Sequence, residues 1–348
     1  MIYINYLSKT RNKIGMTEEQ LQKEIAYNNG RIATKILKED EAPLVSRQQY
    51  QTIAKIHDAI ITFNFTHYIE DFNYASMYKT FRIPKRSGGY REICAPEDDL
   101  KSVQHTVMKL ITKELRFLPH NAAHGFTRKR NCKTSLEVHK RHGSRWFLKL
   151  DIKDFFPNTT YGQILTAMNE VYPFCEMSAG VKEAITSICT RDGATPQGAP
   201  TSPMITNMVM VKNDVEITKY CKAHNLVYTR YADDILISSK YTFNWQEVQE
   251  DIQKILNHYE LKTEKTRYGS FNGRNWNLGL MYNNKGDITV GHKKKQLVKN
   301  MIHNYITKPE CKTYENWYNL IGTVGYCAYI EPEYFNKYME LIKANKPE

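Results

Sequence analysis

One stretch, Leu226-Val-Tyr-Thr-Arg-Tyr-Ala-Asp-Asp-Ile-Leu-Ile-Ser, limits the fold more than any other. Two β-prone runs, 226–231 and 235–238, flank an acidic turn of two or three residues, which predicts an antiparallel hairpin. The hairpin puts the carboxylates of Asp233 and Asp234 side by side at its tip, between apolar strand residues. Neighbouring carboxylates repel each other and resist loss of water. Two readings follow. Aspartates in a turn satisfy local backbone donors, which is ordinary turn chemistry. Alternatively, the pair is neutralised by divalent cations. Mg²⁺ takes few protein carboxylates together with phosphate oxygens and water, and two such ions ~3.5–4 Å apart can hold both oxygens of an in-line phosphoryl transfer.

Two other segments favour the second reading. Trp146-Phe-Leu-Lys-Leu-Asp-Ile reads as an apolar strand ending in Asp151, and Asp151-Ile-Lys-Asp-Phe-Phe-Pro sets Phe156 five residues further on. Thr195-Pro-Gln-Gly-Ala-Pro-Thr-Ser-Pro contains Gly198, which admits close approach of a substrate to the backbone. A helix is predicted to follow, with Ser202 as N-cap and Pro203 in its first position, offering its positive end. A plain loop before a capped helix explains this second segment equally well.

Elsewhere, Thr17-Glu-Glu-Gln is a capping-box start, and Ile53, Ile56, Ile60 and Ile61 recur at helical spacing. Gly88-Gly89 between β-prone flanks reads as a hairpin. Helical stripes run through Val103, Val107, Leu110 and Ile111, through Val181, Ile185, Ile188 and Cys189, and through Val248, Ile252, Ile255, Leu256 and Tyr259. After Tyr282 the chain turns Lys-rich and is predicted to be helical. Strands and helices interleave around one acidic hairpin, so an α+β chain with an antiparallel sheet backed by helices is expected.

Composition narrows the function classes. With 12% aromatic residues the chain is not of the disordered class. No apolar run approaches the ~18 residues of a membrane span. The opening stretch has no secretory h-region, so a cytoplasmic protein with no membrane partner is expected. Seven cysteines with no Cys-x-x-Cys pair argue for a reducing compartment and against a zinc knuckle. The net charge of +12 points to a polyanionic partner, nucleic acid first and an anionic membrane surface second. Arg128, Lys129, Arg130, Lys133, Lys140, Arg141 and Arg145 form one basic cluster, and Lys293, Lys294, Lys295, Lys299, Lys308 and Lys312 another. Both suit phosphate contact, or are solvated faces. Tyr305, Tyr314, Trp317 and Tyr318 are candidates for base stacking or for core. His120 and His124, and His139 and His142, have zinc-compatible spacings, but no Glu or Cys pair accompanies them, which favours structural or RNA-contacting histidines.

In order, Leu150-Asp151 with Phe155-Phe156, Pro196-Gln-Gly-Ala-Pro-Thr-Ser-Pro203 and Tyr231-Ala-Asp-Asp234 resemble motifs A, B and C of reverse transcriptases, most closely the bacterial retron type and its phage-defence relatives. Ile83-Pro-Lys-Arg-Ser-Gly-Gly-Tyr-Arg-Glu-Ile resembles the fingers hairpin, and His124-Gly-Phe the next fingers motif. Leu261-Lys-Thr-Glu-Lys-Thr resembles motif D, and Leu278-Gly-Leu the primer grip. The resemblance covers about residues 78–330.

It implies a right-hand polymerase: a helical extension over 1–77, fingers over 78–145, a palm over 146–285 with a fingers insertion near 160–195, and a thumb over 286–348. No ribonuclease H or endonuclease domain is expected in the 66 residues after Tyr282. The implied reaction is RNA-directed DNA synthesis from dNTPs on a primer 3′-OH, in a retron or another antiphage system. Asp151, Asp233 and Asp234, with the Ile152 carbonyl, would hold two Mg²⁺ ions, for which Mn²⁺ can substitute. Lys265 would approach the triphosphate and protonate pyrophosphate, or is a surface lysine. Phe156 would exclude a ribose 2′-OH, or is a core ring. Lys85 and Arg91 would clamp the triphosphate, or decorate a solvated hairpin. Gln197 and Gly198 would line the nucleotide pocket, and Tyr231 would lie near the primer end. The implied partners are an RNA template, the DNA product, a dedicated non-coding RNA, and an effector protein or second copy. Retron enzymes carry Asn-Ala-x-x-His before motif A, where Ser135-Leu-Glu-Val-His139 keeps only the His, and Val-Thr-Gly near motif E, where Asn277-Leu-Gly279 keeps only the Gly. The alternatives are a template-independent or protein-primed DNA polymerase, and a silent RNA-binding module of the same fold.

Overall fold

The computed structural model describes residues 46–85, 88–272 and 274–347; the Thr17 capping box lies outside them. The chain divides into two compact units, each assembled from separated stretches. The first holds the described part of Met1–Pro119 with Asp154–Lys212, and the second holds His120–Lys153 with Asn213–Glu348. The boundaries drawn at 145/146 and 285/286 therefore fall inside the second unit.

In the first unit, helix Arg47–Thr66 starts at a capping box between Ser46 and Gln49. It buries Ile53, Ile56, Ile60 and Ile61 and packs on helices Asp98–Lys109 and Ala179–Ile188. Strands β1 (Tyr78–Pro84) and β2 (Tyr90–Pro96) pair antiparallel. Their turn uses Gly88 and Gly89 at φ 87° and 76°, which an L side chain rarely adopts. The loop after Thr195 docks on β2, where the Cys94 N–H donates to the Gln197 carbonyl at 2.8 Å. The following helix runs Ser202–Val209. Ser202 is its first residue rather than its cap, because its hydroxyl donates instead to the Pro196 carbonyl at 2.6 Å.

The second unit contains a four-stranded antiparallel sheet in the order β4 (Val227–Tyr231), β5 (Asp234–Ser239), β3 (Trp146–Asp151), β6 (Arg267–Ser270). The two acid-bearing strands are the interior ones. Leu148, Leu150, Ile235 and Ile237 are buried on one face, Phe147 and Leu236 on the other, so both faces are covered. Residues paired across a ladder share a face. Phe147, Lys149 and Asp151 therefore lie on the face that carries Asp234, Leu236, Ser238, Thr229 and Tyr231. On it, Phe147 stacks on Trp276 at 5.1 Å, and the core continues through Val298, Leu320, Val324 and Phe335. These belong to helices Gly291–Thr307, Tyr314–Ile330 and Pro332–Ala344, the helical stretch expected after Tyr282. A short ladder of β7 (Met281–Tyr282) with β8 (Ile288–Thr289) precedes them. Among the described residues no helix is long and apolar enough to cross a membrane.

His139, on helix Cys132–Arg141, is fully buried on this face. One ring nitrogen bonds Ser238 of β5 and the other bonds Thr229 of β4 at 2.9 Å, so it ties two strands together and is a structural histidine. Burial, aided by His124 and His142, pushes its pKa down to about 3, so it folds neutral. In the unfolded chain the ring protonates near 6.5, so the unfolded state binds more protons below that pH. Stability should fall as pH drops from 6.5, by up to roughly 1.4 kcal/mol per pH unit for this group. Urea titrations of the unaltered protein and of His139→Gln from pH 7 to 5 measure it; the variant should show the shallower pH slope.

Candidate active site

The register decides the geometry. Asp151, the last residue of β3, pairs with Asp234, the first of β5, and Tyr231 pairs with Asp234 from the other side. The hairpin loop is thus only Ala232-Asp233. The Ile152 N–H donates to the Asp233 carbonyl at 2.9 Å, joining the end of β3 to the loop. Three aspartates from two distant stretches meet at one end of the two interior strands.

Lysines surround them. Lys149 stands two residues before Asp151 on the same face and reaches Asp234 at 2.8 Å, with both side chains largely buried. Lys262 and Lys265 approach Asp151 at 2.8 and 3.4 Å. The first of these is placed by the backbone: the Lys262 N–H donates to the Asp151 carbonyl at 2.8 Å, and Ile152 bridges to Leu261. Asp233 joins no ion pair among the described residues. Burial first, then Asp234 and Asp151, raise its carboxyl above the usual range, with Lys262 opposing. Sequence reading named Lys265 but missed Lys149 and Lys262. Period-two counting back from Asp151 was the available signal for Lys149.

The donor set is all hard oxygen, three carboxylates and the Ile152 carbonyl, which suits a Mg²⁺-type cation. Uncompensated negative charge remains at Asp233. Among the described residues no three His, Cys, Asp or Glu side chains close into a ready-made metal cage. Ammonium groups hold two of the three carboxylates instead. The residues fit such an ion in chemistry: Asp151, Asp233 and Asp234 with the Ile152 carbonyl would hold it.

The remaining candidates divide between the units. In the first, Lys85 and Arg91 stand exposed at the end of the β1–β2 hairpin. Phe155 fills the core, whereas Phe156 is half-buried beside it at 5.6 Å, so the core reading belongs to Phe155. The Phe156 carbonyl accepts from the Thr195 hydroxyl at 2.6 Å. Gly198 sits at φ 131°, and a Cβ there would come within 2.9 Å of the Cys94 carbonyl. The close approach this glycine permits is therefore to β2, a partner the sequence did not reveal. In the second unit, Tyr231 is half-buried, 6.4 Å from the Phe126 ring.

Two basic residues change roles. Arg130 donates to the carbonyls of His120 and Ala123 and to Asn121, so its guanidinium staples the loop rather than facing phosphate. Lys295 pairs with Glu331 at 2.6 Å and lies over the Tyr334 ring, so its charge is already committed. Arg128, Lys129, Lys293 and Lys299 are exposed and Lys294 half-buried. Tyr305 is buried and Trp317 donates to the Ile342 carbonyl, while Tyr314 and Tyr318 are exposed.

Residues 83–281 match the family described as "Reverse transcriptase (RNA-dependent DNA polymerase)". The chain belongs to the reverse transcriptases. It is similar to the retron Mx65 reverse transcriptase of Myxococcus xanthus, 28% identical over 74% of this chain and 62% of that protein. It is also similar to the retron Ec73 reverse transcriptase of Escherichia coli, 27% identical over 74% of this chain and 85% of that one. The match to the first relative thus spans under two thirds of that protein's length. Among solved structures, an apo telomerase from Candida tropicalis shares the fold, with a TM-score of 0.50 and 14% identity over 78% of this chain and 61% of that one.

The aspartate cluster of this reverse transcriptase is a local liability when no cation is bound. Asp233→Asn removes the charge raised in pKa by burial and its neighbours. It should raise the melting temperature of the metal-free protein at pH 7 by roughly 1–3 °C. Calorimetry in a chelating buffer checks this; a lower melting temperature would contradict the repulsion.

Proposed function

We propose that the protein is the RNA-directed DNA polymerase of a retron, adding dNTPs to a primer 3′-OH in the cytoplasm. The observation that carries this reading is the meeting of Asp151, Asp233 and Asp234 through the β3–β5 register. These carboxylates and the Ile152 carbonyl would hold two Mg²⁺, or Mn²⁺. When bound, such ions activate the attacking hydroxyl and neutralise the charge that develops on the leaving pyrophosphate. The chain's own part is placement. Lys265, mostly exposed at 54% and near Asp151, would donate a proton to the leaving pyrophosphate. Tyr231 would sit beside the primer terminus. Lys85 and Arg91 would bind the triphosphate, Gln197 and Gly198 would line the nucleotide pocket, and the half-buried Phe156 would select the deoxyribose. Arg128, Lys129, Lys293, Lys294 and Lys299 would contact the nucleic-acid backbone, which positions without specifying sequence. A dedicated non-coding RNA is the template this reading assigns, with an effector protein or a second copy as further partners.

Asp233→Ala with Asp234→Ala should abolish Mg²⁺-dependent dNTP incorporation and leave RNA binding unchanged, measured by primer extension and by filter binding on one preparation. Full incorporation by the double variant would falsify the assignment. Phe156→Ala should raise the use of ribonucleotides relative to deoxynucleotides by a factor of 10 or more, about the ~1.4 kcal/mol per tenfold that a lost steric barrier can supply. Competition assays with paired dNTP and rNTP read that ratio.

A further inference from the structure

We infer that Gly125 and the buried Arg230–Asp214 pair form a brace that sets the backbone of Ala232, and through it the position of Asp233. The inference rests on the polymerase reading above and adds positioning residues to it. Ala232 is left-handed at φ 56°, a conformation that a residue with a Cβ holds only when its surroundings impose it. Its surroundings impose it here from two sides. From below the sheet, the Arg230 Nη1 donates to the Ala232 carbonyl at 3.0 Å. Arg230 is itself fixed by Asp214, with Nε to Oδ1 at 2.8 Å and Nη2 to Oδ2 at 2.7 Å, both side chains fully buried. Tyr228 adds a third bond to Asp214 at 2.6 Å. From the side, segment 122–125 lies along β4, with the His124 N–H on the Arg230 carbonyl and the Arg230 N–H on the Ala122 carbonyl, each at 2.7 Å.

That segment ends in Gly125, pressed against the loop. A Cβ there would meet the Ala232 nitrogen at 2.5 Å and the Tyr231 carbonyl carbon at 3.1 Å, both backbone atoms that cannot swing aside. Gly125 is not among the residues with positive φ, so space and not backbone conformation demands the glycine. An alanine must therefore push the Tyr231–Ala232 backbone, and with it the neighbouring carboxylate. None of these three residues touches a reacting atom; they act through Ala232.

The test uses Gly125→Ala and, as a variant with no steric intrusion, Arg230→Lys, which keeps the charge opposite Asp214 but gives up the fork that reaches Ala232. Each full-length protein is checked for folding by circular dichroism. The folded material is titrated with Mn²⁺ by electron paramagnetic resonance and assayed for kcat and KM of dNTP incorporation. Displaced carboxylates should weaken Mn²⁺ binding roughly tenfold or more. They should also lower kcat by about 100-fold with a smaller change in KM. A merely structural role would lower the melting temperature and leave the Mn²⁺ affinity of folded protein unchanged. Wild-type Mn²⁺ affinity in whichever variants fold, or failure of both to fold, overturns the brace. If the unaltered protein incorporates no dNTP, the polymerase reading falls and the Mn²⁺ titration alone decides the brace.

Discussion

The antiparallel pairing of β3 with β5 is the constraint on which the rest depends. Side chains alternate faces with a period of two, so a slip of one residue would send Asp151 to the opposite face from Asp234 and would also exchange Phe147 for Leu148 in the aromatic core. The register that buries Phe147 against Trp276 is thus the register that joins the carboxylates. Packing energy, supplied by apolar area, fixes the place of groups that would repel each other if free to move.

The two faces of the sheet do different work at the same end. One presents the aspartates with Lys149, Lys262 and Lys265, whose ammonium groups pair with Asp234 and Asp151 and leave Asp233 without an ion pair among the described residues. The other holds Arg230 and Tyr228 on Asp214. A buried ion pair of this kind adds little net stability over apolar packing, because removing both charges from water costs nearly what their attraction returns. Its value lies in geometry: a rigid fork whose Nε and Nη2 are set on Asp214, so that Nη1 is aimed at the Ala232 carbonyl.

Much of this was legible in order along the chain. The acidic hairpin, the glycine turn between β1 and β2 and most of the helical stripes stand where periodicity placed them, because local pattern and burial agree there; the stripe from Val248 stops at Leu256, since the helix Trp245–Leu256 ends there and Tyr259 lies beyond it. His139, whose role the sequence left open, proves to be a clasp between β4 and β5. Less legible were assignments that depend on a partner. Arg130 and Lys295 read as free cations, yet carbonyls and Glu331 claim them. Ser202 read as a helix cap, yet its hydroxyl serves Pro196. Gly198 read as room for substrate, and the backbone of β2 proves to be a close neighbour that the spacing did not reveal.

By itself the sequence determined the elements, the acids at strand ends and the kinship with reverse transcriptases, since these depend on residue type and spacing along the chain. Only the tertiary structure decided which charges are spent and which glycine yields to which backbone. Those outcomes depend on distances between residues far apart in order, and Coulomb attraction, hydrogen bonding and steric exclusion all act through distance.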